Sequence, residues 1–235
     1  MRFAAFLPLP LALPLPLAAC QSPADAPADP VEDATLAESR DMIAPTDFAA
    51  LELGGIVQGP LGPEVEASLV AGGVALGDIS SRVQCPGGLD PCDPRTAPEG
   101  TIYTYIYEVR PGFDGPNDPP FEMPAELRPV ERATSFALTF PAYGFTGVAG
   151  YSVFDAESVL ADGFTATISC VDNRIVWTVP EESEWGTGET ITFFWQSTQP
   201  PSGPTGEYRF TADGAEATGM GPMPREGGEI AAVCE

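Results

Sequence analysis

Ile102-Tyr103-Thr104-Tyr105-Ile106-Tyr107-Glu108-Val109 is the stretch on which the fold turns. It alternates and is rich in residues that favour a pleated strand. A side-chain period of two puts Tyr103, Tyr105 and Tyr107 on one face, with Ile102, Thr104 and Ile106 on the other. The same reading recurs to either side. Residues 135–140 alternate large apolar with small and stop at Pro141. Residues 164–170 and 174–179 flank Asp172-Asn173, a pair suited to a tight hairpin turn. Residues 190–195, 208–211 and 230–234 continue the series, with weaker candidates at 65–70 and 151–154. Helix-period segments are nearly absent. Roughly eight or nine short strands punctuated by Gly, Pro, Asp and Asn predict an all-β fold, an antiparallel β-sandwich with a β-barrel as the alternative.

Composition agrees. A chain of 235 residues has room for one ordinary domain plus tails, and a hydrophobic fraction of 43% supplies a core. With 27 Pro and 25 Gly it is rich in turns. Its 34 acids face ten basic residues, every one an Arg; there is no Lys and no His. So acidic a surface repels phosphate backbones, which excludes nucleic acid as a partner. The first reading of the acids is solubility. The sharper one is that some of them converge on a cation.

Met1-Arg2 precedes an apolar run, residues 3–19, that contains Pro8, Pro10, Pro14 and Pro16. One positive charge and then an apolar core is the layout of a secretory signal peptide; the prolines make it a poor membrane helix. The run ends in Leu17-Ala18-Ala19-Cys20. This resembles the lipobox of bacterial lipoproteins: a Leu, two small residues and an obligatory Cys. The resemblance implies diacylglycerol on Cys20, cleavage before it, and a bilayer as partner through the acylated Cys20. Two or three acyl chains, at about 0.8 kcal/mol per buried methylene, give stable anchoring. Gln21, rather than an Asp, is compatible with the outer membrane of a cell envelope under the enterobacterial sorting rule. Removing residues 1–19 leaves nine Arg against 34 acids, a net charge of −25.

The organisation expected is therefore a signal peptide over 1–19, a lipidated Cys and flexible Pro/Ala/Asp linker over 20–47, and a β-rich exported domain over 48–235. The linker carries seven acids and one Arg, and charge of one sign extends a chain. Residues 34–43 can form a short helix. Four cysteines remain after Cys20, namely Cys85, Cys92, Cys170 and Cys234. An even number in an exported chain points to disulfides. Pro86-Gly87-Gly88 can fold the short loop back to join Cys85 to Cys92, which leaves Cys170 for Cys234. Spacing and compartment both disfavour a four-Cys zinc site.

Without His there is no Ser–His–Asp or Cys–His set, and without Lys no Schiff base and no Walker-type phosphate loop. No cofactor is implied. Carboxylates are what is left. Glu181, Glu182 and Glu184 crowd beside Trp185 on a loop, a set that glycoside hydrolysis can use but that more commonly is an exposed acidic turn. Asp114, Asn117 and Asp118 offer oxygen ligands to calcium, without the EF-hand spacing, in what otherwise reads as a Gly/Pro turn. Tyr103, Tyr105 and Tyr107 can stack on sugar rings if their face is exposed, and pack inward otherwise. Trp177 and Trp195 alternate with core residues; Trp185 is the Trp expected at the surface. Two functional classes follow. The first is a non-enzymatic binding or structural domain of the envelope, with a protein or glycan partner. The second is a carbohydrate-active protein, binding sugars or hydrolysing them with carboxylates.

Overall fold

The computed structural model describes residues 41–62, 64–124, 126–160 and 165–234. Expectations for the signal peptide, Cys20 and most of the linker lie outside these residues. In chain order the elements are β1 (Asp41–Ile43), β2 (Thr46–Asp47), a 3-10 turn η1 (Phe48–Ala50), β3 (Leu53–Ile56), β4 (Val65–Ala71), β5 (Val74–Pro86), β6 (Tyr103–Pro111) and β7 (Glu126–Leu127). Then come β8 (Ala133–Leu138), β9 (Phe145–Tyr151), α1 (Val153–Val159), β10 (Thr167–Val171), β11 (Arg174–Thr178), β12 (Ile191–Ser197), β13 (Pro201–Ala212), β14 (Ala215–Pro224) and a 3-10 turn η2 (Ala232–Cys234).

Three two-residue turns set the hairpins. Asp172-Asn173 has φ of 50° and 63°, which closes β10 on β11 with Val171 opposite Arg174. Gly72-Gly73 does the same for β4 and β5, and Asp213-Gly214 for β13 and β14. Positive φ at both central positions matches the right-handed twist of the strands, and Gly, Asn and Asp tolerate it best. The strands form one curled sheet in the order β1-β10-β11-β8-β13-β14-β4-β5-β6-β12-β9-β2, with β3 and β7 added beside β5. Its two ends meet at one short segment, because β1 and β2 are separated only by Ala44-Pro45.

The all-β class is as the sequence indicates, with four differences in detail. The described residues hold fourteen strands, some longer than expected: β5 has 13 residues and β13 has 12. The sheet is mixed, since β2 runs parallel to β9 and β7 parallel to β5. Residues 41–47 belong to the sheet and not to the linker, and 41–43 are strand rather than helix. Residues 230–234 end in η2, and the chain leaves β9 at Tyr151 to begin α1. There the Ser152 hydroxyl caps the helix by accepting from Asp155 N at 3.2 Å.

The interior is aromatic. Trp177, Trp185, Trp195, Tyr105, Tyr107, Tyr208, Phe136, Phe193 and Phe210 are fully buried. Their polar ends are mostly matched inside. Trp195 Nε1 donates to Tyr107 Oη at 2.9 Å, and Tyr107 and Tyr208 share a hydrogen bond at 3.0 Å. Tyr208 Oη donates on to Pro222 O, Tyr105 Oη to Gln199 O, and Trp177 Nε1 to Gly150 O. Partnered in this way, phenols and indoles bury large areas without the penalty of a stranded donor. Cys85 is bonded to Cys92 and Cys170 to Cys234, the pairing expected.

Candidate functional site

The outward positions of β4, β5 and β6 carry a charged array that follows from register. Glu66 lies opposite Ser80, and Ser80 opposite Glu108. One step along, Ser68 lies opposite Asp78 and Asp78 opposite Arg110. Alternation sends all of these to the face away from the aromatic core. All of these but Ser68, together with Glu64, Arg82, Phe113, Gly115 and Pro116, line a recess of about 430 Å³.

Both arginines of the recess are engaged. Arg82 Nη1 donates to Glu108 Oε1 at 2.7 Å. Arg110 Nε donates to Thr190 Oγ1 at 3.2 Å, and its guanidinium lies 4.5 Å from the centre of the Phe113 ring. Asp78 is 5% exposed and is held by backbone alone, accepting from Ile79 N at 3.1 Å and Gly115 N at 3.0 Å. Burial pushes its carboxyl above the ordinary value, and Asp114 adds to this, while the backbone donors and Arg110 oppose it. Burial raises Glu66 as well, against a hydrogen bond from Ser80. Glu64, Glu66, Asp78 and Glu108 outnumber the two arginines, so the recess favours cationic groups over anions.

The structure gathers the calcium candidates at the border of this recess. Ser68 Oγ lies 2.7 Å from Asp114 Oδ1 and 3.0 Å from Asn117 Oδ1. Asn117 Nδ2 donates to Glu122 O, which fixes the amide. Asp118 is turned elsewhere: Glu66 N donates to its carboxylate at 3.0 Å, and Asp118 N donates to Glu66 O at 2.9 Å. These three residues lace a loop onto β4, with one carboxylate oxygen each of Asp114 and Asp118 and the amide of Asn117 engaged by the fold. Among the described residues no three carboxylates or thiols converge as a metal-ligand set.

Of the two readings left open for the Tyr-rich strand the structure shows the inward one, and the expectation for Trp185 is corrected. Tyr103, Tyr105 and Tyr107 pack inward, at 4%, 0% and 0% exposure, and offer no stacking surface. Burial raises all three phenols above the ordinary value. The opposite face is covered too, since Thr104 and Ile106 are buried while Ile102 lies at the edge. Trp185 is fully buried between Phe193 and Phe210, whose rings meet it edge-on at 5.5 and 5.6 Å. Glu181, Glu182 and Glu184 are exposed to solvent.

A second recess of about 570 Å³ lies over β8, β11 and β13. Its outer row sets Ala137 of β8 between Val176 and Arg209, so a small residue makes a trough between larger ones. Arg174 lines one wall with its Nε buried and without a hydrogen-bond partner among the described residues. Neither recess was singled out from sequence. The signal was present in the alternation of Asp78, Ser80, Arg82 and Gln84 along β5, which reads as an ordinary polar outer face unless its neighbours are known.

No family model matches the chain, and comparison with curated proteins and with solved structures finds no match.

Proposed function

We propose that the protein is an exported lipoprotein, anchored by acylated Cys20 in the outer membrane of a cell envelope, whose β-domain acts in binding or envelope structure without catalysis. The observation that carries the reading is Leu17-Ala18-Ala19-Cys20 after an apolar leader. The two disulfides support export, because such bonds persist in oxidising compartments. The acidic recess over β4–β6 is the binding surface favoured here, for a cationic group of a partner. The carbohydrate reading has less support: both aromatic platforms that would stack on sugars lie in the core.

The anchor is tested by replacing Cys20 with Ser. The variant should lose labelling by a palmitate analogue and move from the detergent phase to the aqueous phase on temperature-induced separation. Equal labelling of variant and parent would refute the proposal.

A further inference from the structure

Among the described residues one segment covers part of both ends of the curled sheet. β10 ends one side and β9 the other, and residues 41–47 are paired to both. β1 runs antiparallel to β10, Ala44-Pro45 makes the step, and β2 runs parallel to β9. A second segment, from the other end of the chain, spans the same two strands. Ala231 N donates to Phe145 O of β9 at 3.0 Å, and Cys234 is bonded to Cys170 of β10. Cys170 is also the residue opposite Asp41, so strap and clasp meet at one point of the seam.

We propose that this double closure is a latch: residues 41–47 peel away as a unit short of global unfolding, and the Cys170–Cys234 bond confines the opening to that strap.

The strap is lightly held. Ile43 is its one fully buried hydrophobic side chain, at 4%, whereas Met42 is 58% exposed and Ala44 and Pro45 lie in solvent. It has three residue pairs with β10 and two with β9, against the seven that join β12 to β6. Few buried contacts and solvent-facing backbone bonds mark the segments that open first. Peeling also has a direction. Asp47 Oδ1 accepts from Ala49 N and from Val153 N, each at 3.2 Å, so it fastens η1 and the start of α1 together. Asp47 is therefore the hinge and Asp41 the end that lifts, which is the end leading back towards Cys20. With the strap lifted, β9 and β10 would each present an unpaired edge, a template for another strand. The clasp keeps these edges side by side, because η2 stays bonded to β10 while Ala231 stays on β9. Without the disulfide the same departure lets β9 and β10 part.

Amide hydrogen exchange read by mass spectrometry tests this, on the oxidised protein in denaturant well below its unfolding transition. Peptides covering residues 41–47 should exchange at least about 100-fold faster than those of β5 and β6, and with a weaker dependence on denaturant, since little surface is exposed when the strap lifts. Replacing Cys170 and Cys234 with Ser, which leaves the Cys85–Cys92 bond of β5 intact, should then raise exchange in β9 and β10 about tenfold or more beyond any rise in β5 and β6. Strap exchange at the rate of β5 and β6 would overturn the latch. Equal acceleration of every strand in that variant would overturn the role of the clasp. If the Cys170→Ser/Cys234→Ser variant loses all protection, Ile43→Ala in the parent protein decides. Faster exchange restricted to residues 41–47 supports the latch, and uniform acceleration refutes it.

Discussion

Asp78 is a carboxylate placed where charge is unwelcome, and its position has a measurable consequence. Its folded pKa is raised above the ordinary 3.8, chiefly by burial. The folded state therefore binds this proton more tightly than the unfolded one. Stability from this source is fully present below the ordinary value and is lost as pH rises through the raised one. Glu66 acts in the same direction. Urea midpoints should therefore improve in Asp78→Asn relative to the parent more at pH 7 than at pH 4, and an equal difference at both would contradict the account. Single residues are also where the sequence was hardest to read. Alternation divides the Tyr-rich strand into two faces but does not say which is inside. That is decided by donors and acceptors far along the chain: Trp195, Tyr208 and Gln199, which meet the phenols of Tyr107 and Tyr105. Trp185 misleads for a similar reason. Its neighbours Glu181, Glu182 and Glu184 are exposed, yet a chain that rises from solvent can still turn one large side chain down between Phe193 and Phe210.

Among the elements, the two disulfides should contribute unequally. Cys170–Cys234 closes a separation of 64 residues and Cys85–Cys92 one of 7. On the loop-entropy account the first stabilises by about 4 kcal/mol and the second by about 2.5 kcal/mol. Replacing each pair by Ser and measuring denaturant midpoints should rank them in that order; the reverse order would mean that native contacts around Cys85 outweigh chain entropy. The hairpin at Asp172-Asn173 and the strands β4, β6, β8, β11 and β12 were legible because periodicity and turn chemistry agreed there. β5 and β14 were not. β5 presents Asp78, Ser80, Arg82 and Gln84 outward and Ser81 inward, so its apolar alternation is broken. In β14, Gly219 and Gly221 read as turn residues. A Cβ at Gly219 would meet Leu69 Cδ2 at 2.9 Å and one at Gly221 would meet Ser81 Oγ at 2.7 Å, so close strand-to-strand approach requires glycine there. Sequence patterns report local preference, whereas these two strands are shaped by what lies across from them.

At the scale of the molecule, charge dominates. A compact body that carries so many more acids than arginines repels itself, and salt screens that repulsion over about 10 Å at 0.1 M. Melting temperature should rise smoothly with sodium chloride, and calcium should add no more than magnesium at equal ionic strength. A specific oxygen cage would instead give about 2.7 kcal/mol at a free calcium concentration 100 times its dissociation constant. A calcium-selective rise in melting temperature, abolished in the Asp114→Asn/Asp118→Asn variant, would show that the loop laced over β4 holds an ion after all. The seam between β9 and β10 bears on the chain as a polymer. β1 and η2 touch there, so the described residues start and finish in one place, and topologically they are almost a ring. In a ring the choice of starting point is arbitrary. The same walls follow from any cyclic reordering of the strands, and the exposed Gly72-Gly73 turn is as serviceable a beginning as Asp41.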